Sequence, residues 1–250
     1  MPVMMELRIR ACHVRGQFVA KNNVAPLLSK KNLLQEPASF NYMRLAHPPV
    51  TFAQEKRKVE HRLPAARQYI AEQRLNEHFE GTQHRHLSLI VQGGLYNSVL
   101  RSLQLLGLAN AFGDCDIPML VLNVTYPLVP EQVTDFCQDK RAVLVIEEGQ
   151  PEYIEQDIAT QLRRRGIHTP LHGKDMLPGA GEYNVEAITT GLATFAKNYL
   201  APQAHTQAAS WLAALQQRRA DVAKALGQYY FQPTQSGVNN WQSQIISLSY

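Results

Sequence analysis

The residues best placed to do chemistry are Gly93-Gly94, Asn97 and the pair Glu147-Glu148. Both pairs end short apolar runs, His86–Val91 and Arg141–Ile146, where a parallel strand would hand over to a helix. Two glycines before a helix expose backbone N–H groups that suit a phosphate. The spacing matches neither G-x-G-x-x-G nor G-x-x-x-x-G-K-[ST], so a tight strand-to-helix turn explains them at least as well. Adjacent residues on a strand face opposite ways, so Glu147 and Glu148 form no carboxylate dyad. One is expected to cap or pair locally, the other to face the crevice or an adjoining domain.

Metal and nucleophile signals are thinner. His84-x-His86 would put two imidazoles on one face of a strand, with His168 and His172 later in the chain. No Cys-x-x-Cys accompanies them, and no carboxylate–histidine spacing completes a ligand set. Cys12-His13 suggests a thiolate–imidazole pair, but neighbours on a strand diverge, which favours a structural role. No G-x-S-x-G is present. The expectation is a chain with no catalytic residue and no metal ligand.

The elements that would position these groups are legible from residue 86 onward. His86–Val91, Pro118–Val124 and Arg141–Ile146 are apolar runs of strand length. Between and after them, Tyr96–Leu106, Pro130–Cys137 and Glu152–Arg165 read as helices, the first stopped by Gly107 and the last by Gly166. Near-continuous Val, Ile and Leu runs separated by helices predict an α/β fold with a parallel sheet covered on both faces. Asn184–Leu200 and Ala204–Leu226 predict two more helices. Upstream, Met4–Ala11 alternates like a strand, residues 16–55 carry no clear period, and Gln54–Glu80 reads as helical, divided or restarted at Pro64. The organisation that follows is a strand at 1–15, a connector with a helix at 16–83, the α/β domain at 84–201, a helical extension at 202–227, and a tail at 228–250 of unplaced pattern.

Composition narrows the class. Of 250 residues, 45% are apolar and only 18% charged, which excludes wholesale disorder. Lys and Arg outnumber Asp and Glu 13 to 7 in residues 1–80, whereas acids lead 13 to 9 in 81–200. No aromatic-rich basic stripe or nucleic-acid motif supports a nucleic-acid partner; a segment whose charges meet a protein surface is the simpler reading. Three scattered cysteines read as reduced thiols, no apolar run reaches the ~20 residues of a membrane span, and no signal peptide is seen. These features predict a cytoplasmic protein without a membrane partner.

Four motifs in order carry a resemblance. Leu89-Ile90-Val91-Gln92-Gly93-Gly94-Leu95-Tyr96-Asn97 comes first, then Thr125-Tyr126-Pro127-Leu128. Leu144-Val145-Ile146-Glu147-Glu148 with its Tyr-Ile-Glu helix follows, then Gly173-Lys174-Asp175-Met176-Leu177-Pro178. Together they resemble the large subunit of indolepyruvate:ferredoxin oxidoreductase, of the 2-oxo acid:ferredoxin oxidoreductase family, from the first residues to about Ala201. The resemblance implies thiamine diphosphate with magnesium, and iron–sulfur clusters passing electrons to ferredoxin, in the intact enzyme. It also implies other domains or subunits as partners, with a homo-oligomer possible. Residues 86–201 look like the intermediate domain of that enzyme, similar to the carboxy-terminal domain of transketolases and structural in role. Residues 1–15 look like the last strand of its pyrimidine-binding domain, where Arg10 falls on an arginine that meets the substrate carboxylate. A strand-face ion pair is the other reading of Arg10.

The sequence departs from the family where the chemistry sits. The Gly-Asp-Gly segment that holds magnesium and diphosphate has only Gly113-Asp114-Cys115 to answer it, and Asn239-Asn240 lies far away. The cluster cysteines and most of the pyrimidine domain are absent. The expectation is an internal fragment that binds no cofactor alone and is inactive alone; the alternative is a stand-alone subunit or interaction module of a multi-chain 2-oxo acid oxidoreductase.

Overall fold

The computed structural model describes Met4, residues 47–202 and residues 206–230. The expected strand at Met4–Ala11, Arg10, Cys12-His13, the connector up to residue 46 and the tail from residue 231 lie outside the described residues, Met4 apart. The chain divides into two units, Met1–Glu55 and Lys56–Tyr250. In the first, His47 precedes the start of helix α1 (Thr51–Arg57), and its carbonyl accepts the Val50 N–H at 2.8 Å.

The second unit is built on a five-stranded sheet. Its elements are α2 (Leu63–Glu72), β1 (Glu77–Phe79), β2 (Leu87–Gln92), α3 (Tyr96–Leu105), β3 (Met119–Leu122), α4 (Pro130–Cys137), β4 (Ala142–Ile146), α5 (Tyr153–Arg164), β5 (Leu171–His172), α6 (Val185–Tyr199) and α7 (Thr206–Tyr230). A π-helical turn at Lys58–Arg62 precedes α2, in whose first turn Pro64 sits. The strand order is β1-β3-β2-β4-β5. β2, β3, β4 and β5 are parallel, with Leu89 opposite Met119 and Leu144.

Both faces of the sheet are buried, which is why its strands read as unbroken apolar runs. Side chains alternate between two cores. Leu87, Leu89, Val91, Leu144 and Ile146 face Val99 and Leu103 of α3 and Ile188, Leu192 and Phe195 of α6. Ile90, Leu120, Leu122, Val143 and Val145 face Val133 and Phe136 of α4 and Ile154, Ile158 and Leu162 of α5. Burying each Val, Leu, Ile or Phe contributes about 1.5–3 kcal/mol, so these two layers dominate stability. Ser102 of α3 ties α6 by donating to the Val185 carbonyl at 3.2 Å. Asn184 caps α6 by accepting the Ala187 N–H at 2.8 Å.

Two expectations need correction. Gln54–Glu80 is not helical throughout: α2 ends at Glu72 and Glu77–Phe79 pairs antiparallel with β3, His78 opposite Leu120. The stop is carried by Arg74 at φ 48°, with the Leu75 N–H reaching back to the Ile70 carbonyl at 3.1 Å. That left-handed position is normally read from a glycine. His84 and His86 also do not share a strand face. They lie in the loop before Leu87, with rings edge to face at 6.1 Å.

Candidate functional site

The crevice at the carboxyl ends of the strands is where an open α/β sheet normally holds a ligand. Here β2 and β4 lie side by side, with α3 packed on one face and α5 on the other. The chain's own polar groups bond to one another at this end.

Glu147 leaves β4 only 7% exposed. Its carboxylate accepts the Ile154 N–H at 3.0 and 3.1 Å and the Glu155 N–H at 3.1 Å. A carboxylate thus occupies the positive end of α5, the place where an external phosphate would be drawn. Glu148 lies on the other side, as strand alternation requires. Its carboxylate accepts the Tyr183 N–H at 2.7 Å, and its own N–H donates to the Gln92 side chain at 3.1 Å. The two acids do not meet as a pair.

The loop after β5 closes over this end through Lys174. Its ammonium donates to the Glu147 carbonyl at 2.6 Å and to the Tyr183 hydroxyl at 2.7 Å. Tyr183, fully buried, donates in turn to the Pro178 carbonyl at 2.5 Å. Burial lowers the Lys174 pKa from its ordinary value, opposed by the charges of Glu147, Glu155, Glu152 and Glu148. Burial, helped by Glu155, Glu147 and Glu148, pushes the Tyr183 phenol up to about 12. Burial also raises the Glu155 carboxyl, against the Lys174 N–H that its side chain accepts at 3.1 Å. A Cβ at Gly173 would meet the Glu155 carboxylate. Beside it, His172 bridges the Asp175 carboxylate and the Tyr199 hydroxyl, each at 2.6 Å.

On the β2 side, the Gly93 backbone stands against Asn123, whose side-chain oxygen would lie 2.5 Å from an added Cβ. The first glycine therefore serves close packing. Gly94 and Asn97 are exposed at the start of α3. Asn123 turns outward, donating to the Leu75 carbonyl at 3.0 Å and the Glu77 carboxylate at 2.8 Å.

Of the residues singled out in sequence, Gly93, Gly94, Asn97, Glu147 and Glu148 all lie at this end of the sheet. The Lys174–Tyr183 link and the Asp175–His172–Tyr199 chain were not foreseen. Their partners lie 9 and 27 residues apart, beyond any local pattern. Among the described residues no group of three His, Cys, Asp or Glu side chains comes together as a metal site.

A buried carboxylate thus caps the helix at this end of the doubly covered sheet. The chain is similar to indolepyruvate oxidoreductase subunit IorA. It is 26% identical to the IorA of Methanothermobacter thermautotrophicus over 194 residues, covering 75% of this chain and 28% of that protein. Identity to the Methanothermobacter marburgensis IorA is 26% over 210 residues, 81% of this chain and 32% of the relative. For the Thermococcus kodakarensis IorA it is 27% over 116 residues, 46% of this chain and 17% of the relative. The chain therefore spans less than a third of the length of the relatives it resembles. No family model matches it. Among the described residues no helix is long and apolar enough to cross a membrane.

Proposed function

We propose that this chain is the transketolase C-terminal-like section of an indolepyruvate:ferredoxin oxidoreductase of IorA type, structural in role and inactive by itself. The observation that carries the reading is Glu147: the helix N-terminus best placed to hold a ligand phosphate is filled by the chain's own carboxylate. Similarity to IorA subunits supports the enzyme family, and the parallel sheet supports the domain type. Other domains or subunits would supply the reaction centre, with ferredoxin as electron acceptor and the cytoplasm as compartment. Arg10 remains the candidate contact to a substrate carboxylate.

Thiamine diphosphate with magnesium does not fit the described residues. Glu147 is turned onto α5, Glu148 onto Tyr183, and no acidic or histidine group forms a ligand set. No catalytic step is assigned to this chain. A second reading, a separate subunit docking on other chains, draws on the exposed Val59 (57%) and Tyr69 (59%) along the helical stretch before β1.

Calorimetry and dye reduction test the proposal. The purified chain is expected to show no thiamine diphosphate binding at micromolar concentration and no indolepyruvate-dependent dye reduction. Either activity in the isolated chain overturns it. Retention by co-expressed oxidoreductase chains would favour the separate-subunit reading.

A further inference from the structure

The opposite end of the sheet carries the opposite charge. Because β2 pairs with β4, Leu87 against Ala142, the two loops entering these strands meet. They bring His84, Arg85, His86, Lys140 and Arg141 onto one surface. Arg85, His86 and Arg141 are exposed, and His84 and Lys140 half-buried. The Arg141 N–H donates to the His86 carbonyl at 2.6 Å, locking the loops together.

The cations here are ordered without being neutralised. Arg85 donates to the Gly81 carbonyl at 2.7 Å, Lys140 to the Arg85 carbonyl at 2.7 Å, and Arg141 to the Tyr199 carbonyl at 3.2 Å. The Arg141 guanidinium also lies 5.8 Å from the centre of the Tyr199 ring. Every one of these bonds goes to a backbone carbonyl, so the positive charge is held in place and left over. Burial first, then His84, Arg141 and Lys140, depress the His86 pKa. The Asp116 carboxylate nearby accepts from the Thr82 and Gln83 side chains. Lys140 and Arg141 follow or face the carboxyl ends of α4 and α6, where a cation offsets the helix dipole. His84, Arg85 and His86 stand at no helix end, and that purpose does not account for them.

We propose that this end of the sheet, centred on His84, Arg85, His86, Lys140 and Arg141, is a docking surface for an acidic protein surface. The assignment rests on the reading of the chain as part of a multi-chain oxidoreductase. Cations already fixed by backbone bonds lose little side-chain freedom when a partner's carboxylates arrive. A small anion would need a concave site. The adjoining open cleft, lined by Asp135, Asp139, Lys140, Arg165 and His168, mixes both signs and does not provide one. Among the described residues the loops at this end expose one large aromatic side chain, Phe112, which is no stacking platform for successive bases and disfavours nucleic acid.

Poly-L-glutamate is the probe, titrated against the full chain at low ionic strength. Lys140→Gln/Arg141→Gln and Arg85→Gln/Lys140→Gln remove charge while keeping polar donors, and Arg57→Gln/Lys58→Gln is the control. Each patch variant is expected to weaken binding about fivefold or more at pH 6.5, with a thermal midpoint still well above the assay temperature and a control effect below about twofold. Equal losses in control and patch variants overturn the proposal. So does tighter wild-type binding to polyuridylate or to phosphatidylserine vesicles than to poly-glutamate. This readout is independent of thiamine binding and turnover, so a failure of the family reading leaves it separately measurable.

Discussion

The Glu147 carboxylate and the Ile154 amide are seven residues apart and joined twice, at 3.0 and 3.1 Å, so the end of β4 caps the helix that follows it. The helix itself supplies no capping side chain: Glu152, at the cap position, makes no such bond. Strand and helix are thereby fixed to each other before any packing is counted.

Glu147→Ala is expected to destabilise the chain by about 1–3 kcal/mol, since it removes a charged cap and leaves the buried Ile154 N–H and the part-buried Glu155 N–H without their acceptor. Glu147→Gln, which keeps one acceptor, should cost about half as much. Urea midpoints read the difference; equal midpoints for Glu147→Ala and wild type would refute the capping role.

Tyr183→Phe removes one hydroxyl that both accepts from Lys174 and donates to Pro178. The expected loss is about 1–3 kcal/mol. Lys174→Met should be less than additive with it, because the two share one bond. A double-mutant cycle in urea measures the coupling, and strict additivity would show that the link is idle.

Asp175 gives a pH signature. Burial tends to raise its pKa, but the hydrogen bonds from His172 and the Gly173 N–H and the His172 charge outweigh it, and the net shift is downward. A carboxyl whose folded pKa lies below its unfolded value adds stability above the unfolded pKa. That contribution disappears as pH falls through the folded one. The stability gap between wild type and Asp175→Asn should therefore be largest near neutrality and close on acidification below about pH 4. A gap that widens toward pH 3 would reverse the assignment.

Burial pushes the Cys115 thiol up to about 11 and the Cys137 thiol up to about 12. With both side chains buried, a thiol reagent should leave them unmodified at pH 8 in the folded protein and label them in guanidinium. Peptide mass spectrometry after brief alkylation reads each site.

Gly173→Ala places a methyl group against the Glu155 carboxylate. About 1 kcal/mol of destabilisation is expected, the cost of pushing a side-chain end off the Lys174 N–H, relieved in part by Glu155→Ala, which removes the carboxylate without placing a glycine inside α5. Thermal midpoints of the single and double variants test the contact.

The parallel core was legible because burial on both faces leaves a signature in composition alone: Leu87–Val91 and Ala142–Ile146 hold almost nothing polar. β1 was hidden because its three residues are too few to show a period and its helix stop is Arg74 rather than glycine. β5, two residues long, has the same difficulty. At the crevice, strand alternation predicts that Glu147 and Glu148 part and that one caps locally, but it does not name Tyr183 as the partner of the other. Glu147 bonds within eight residues, while Glu148 meets Tyr183 35 residues on through a loop whose path only tertiary packing sets.

The shortness of β1 and β5 has a further effect on how the protein behaves in a crowded solution. Central strands this apolar would template aggregation if they stood at a margin of the sheet. Instead, among the described residues, the margins are a three-residue strand and a two-residue strand, each offering only a few backbone groups to another chain. The sheet thereby protects itself against edge-to-edge polymerisation through the order of its strands.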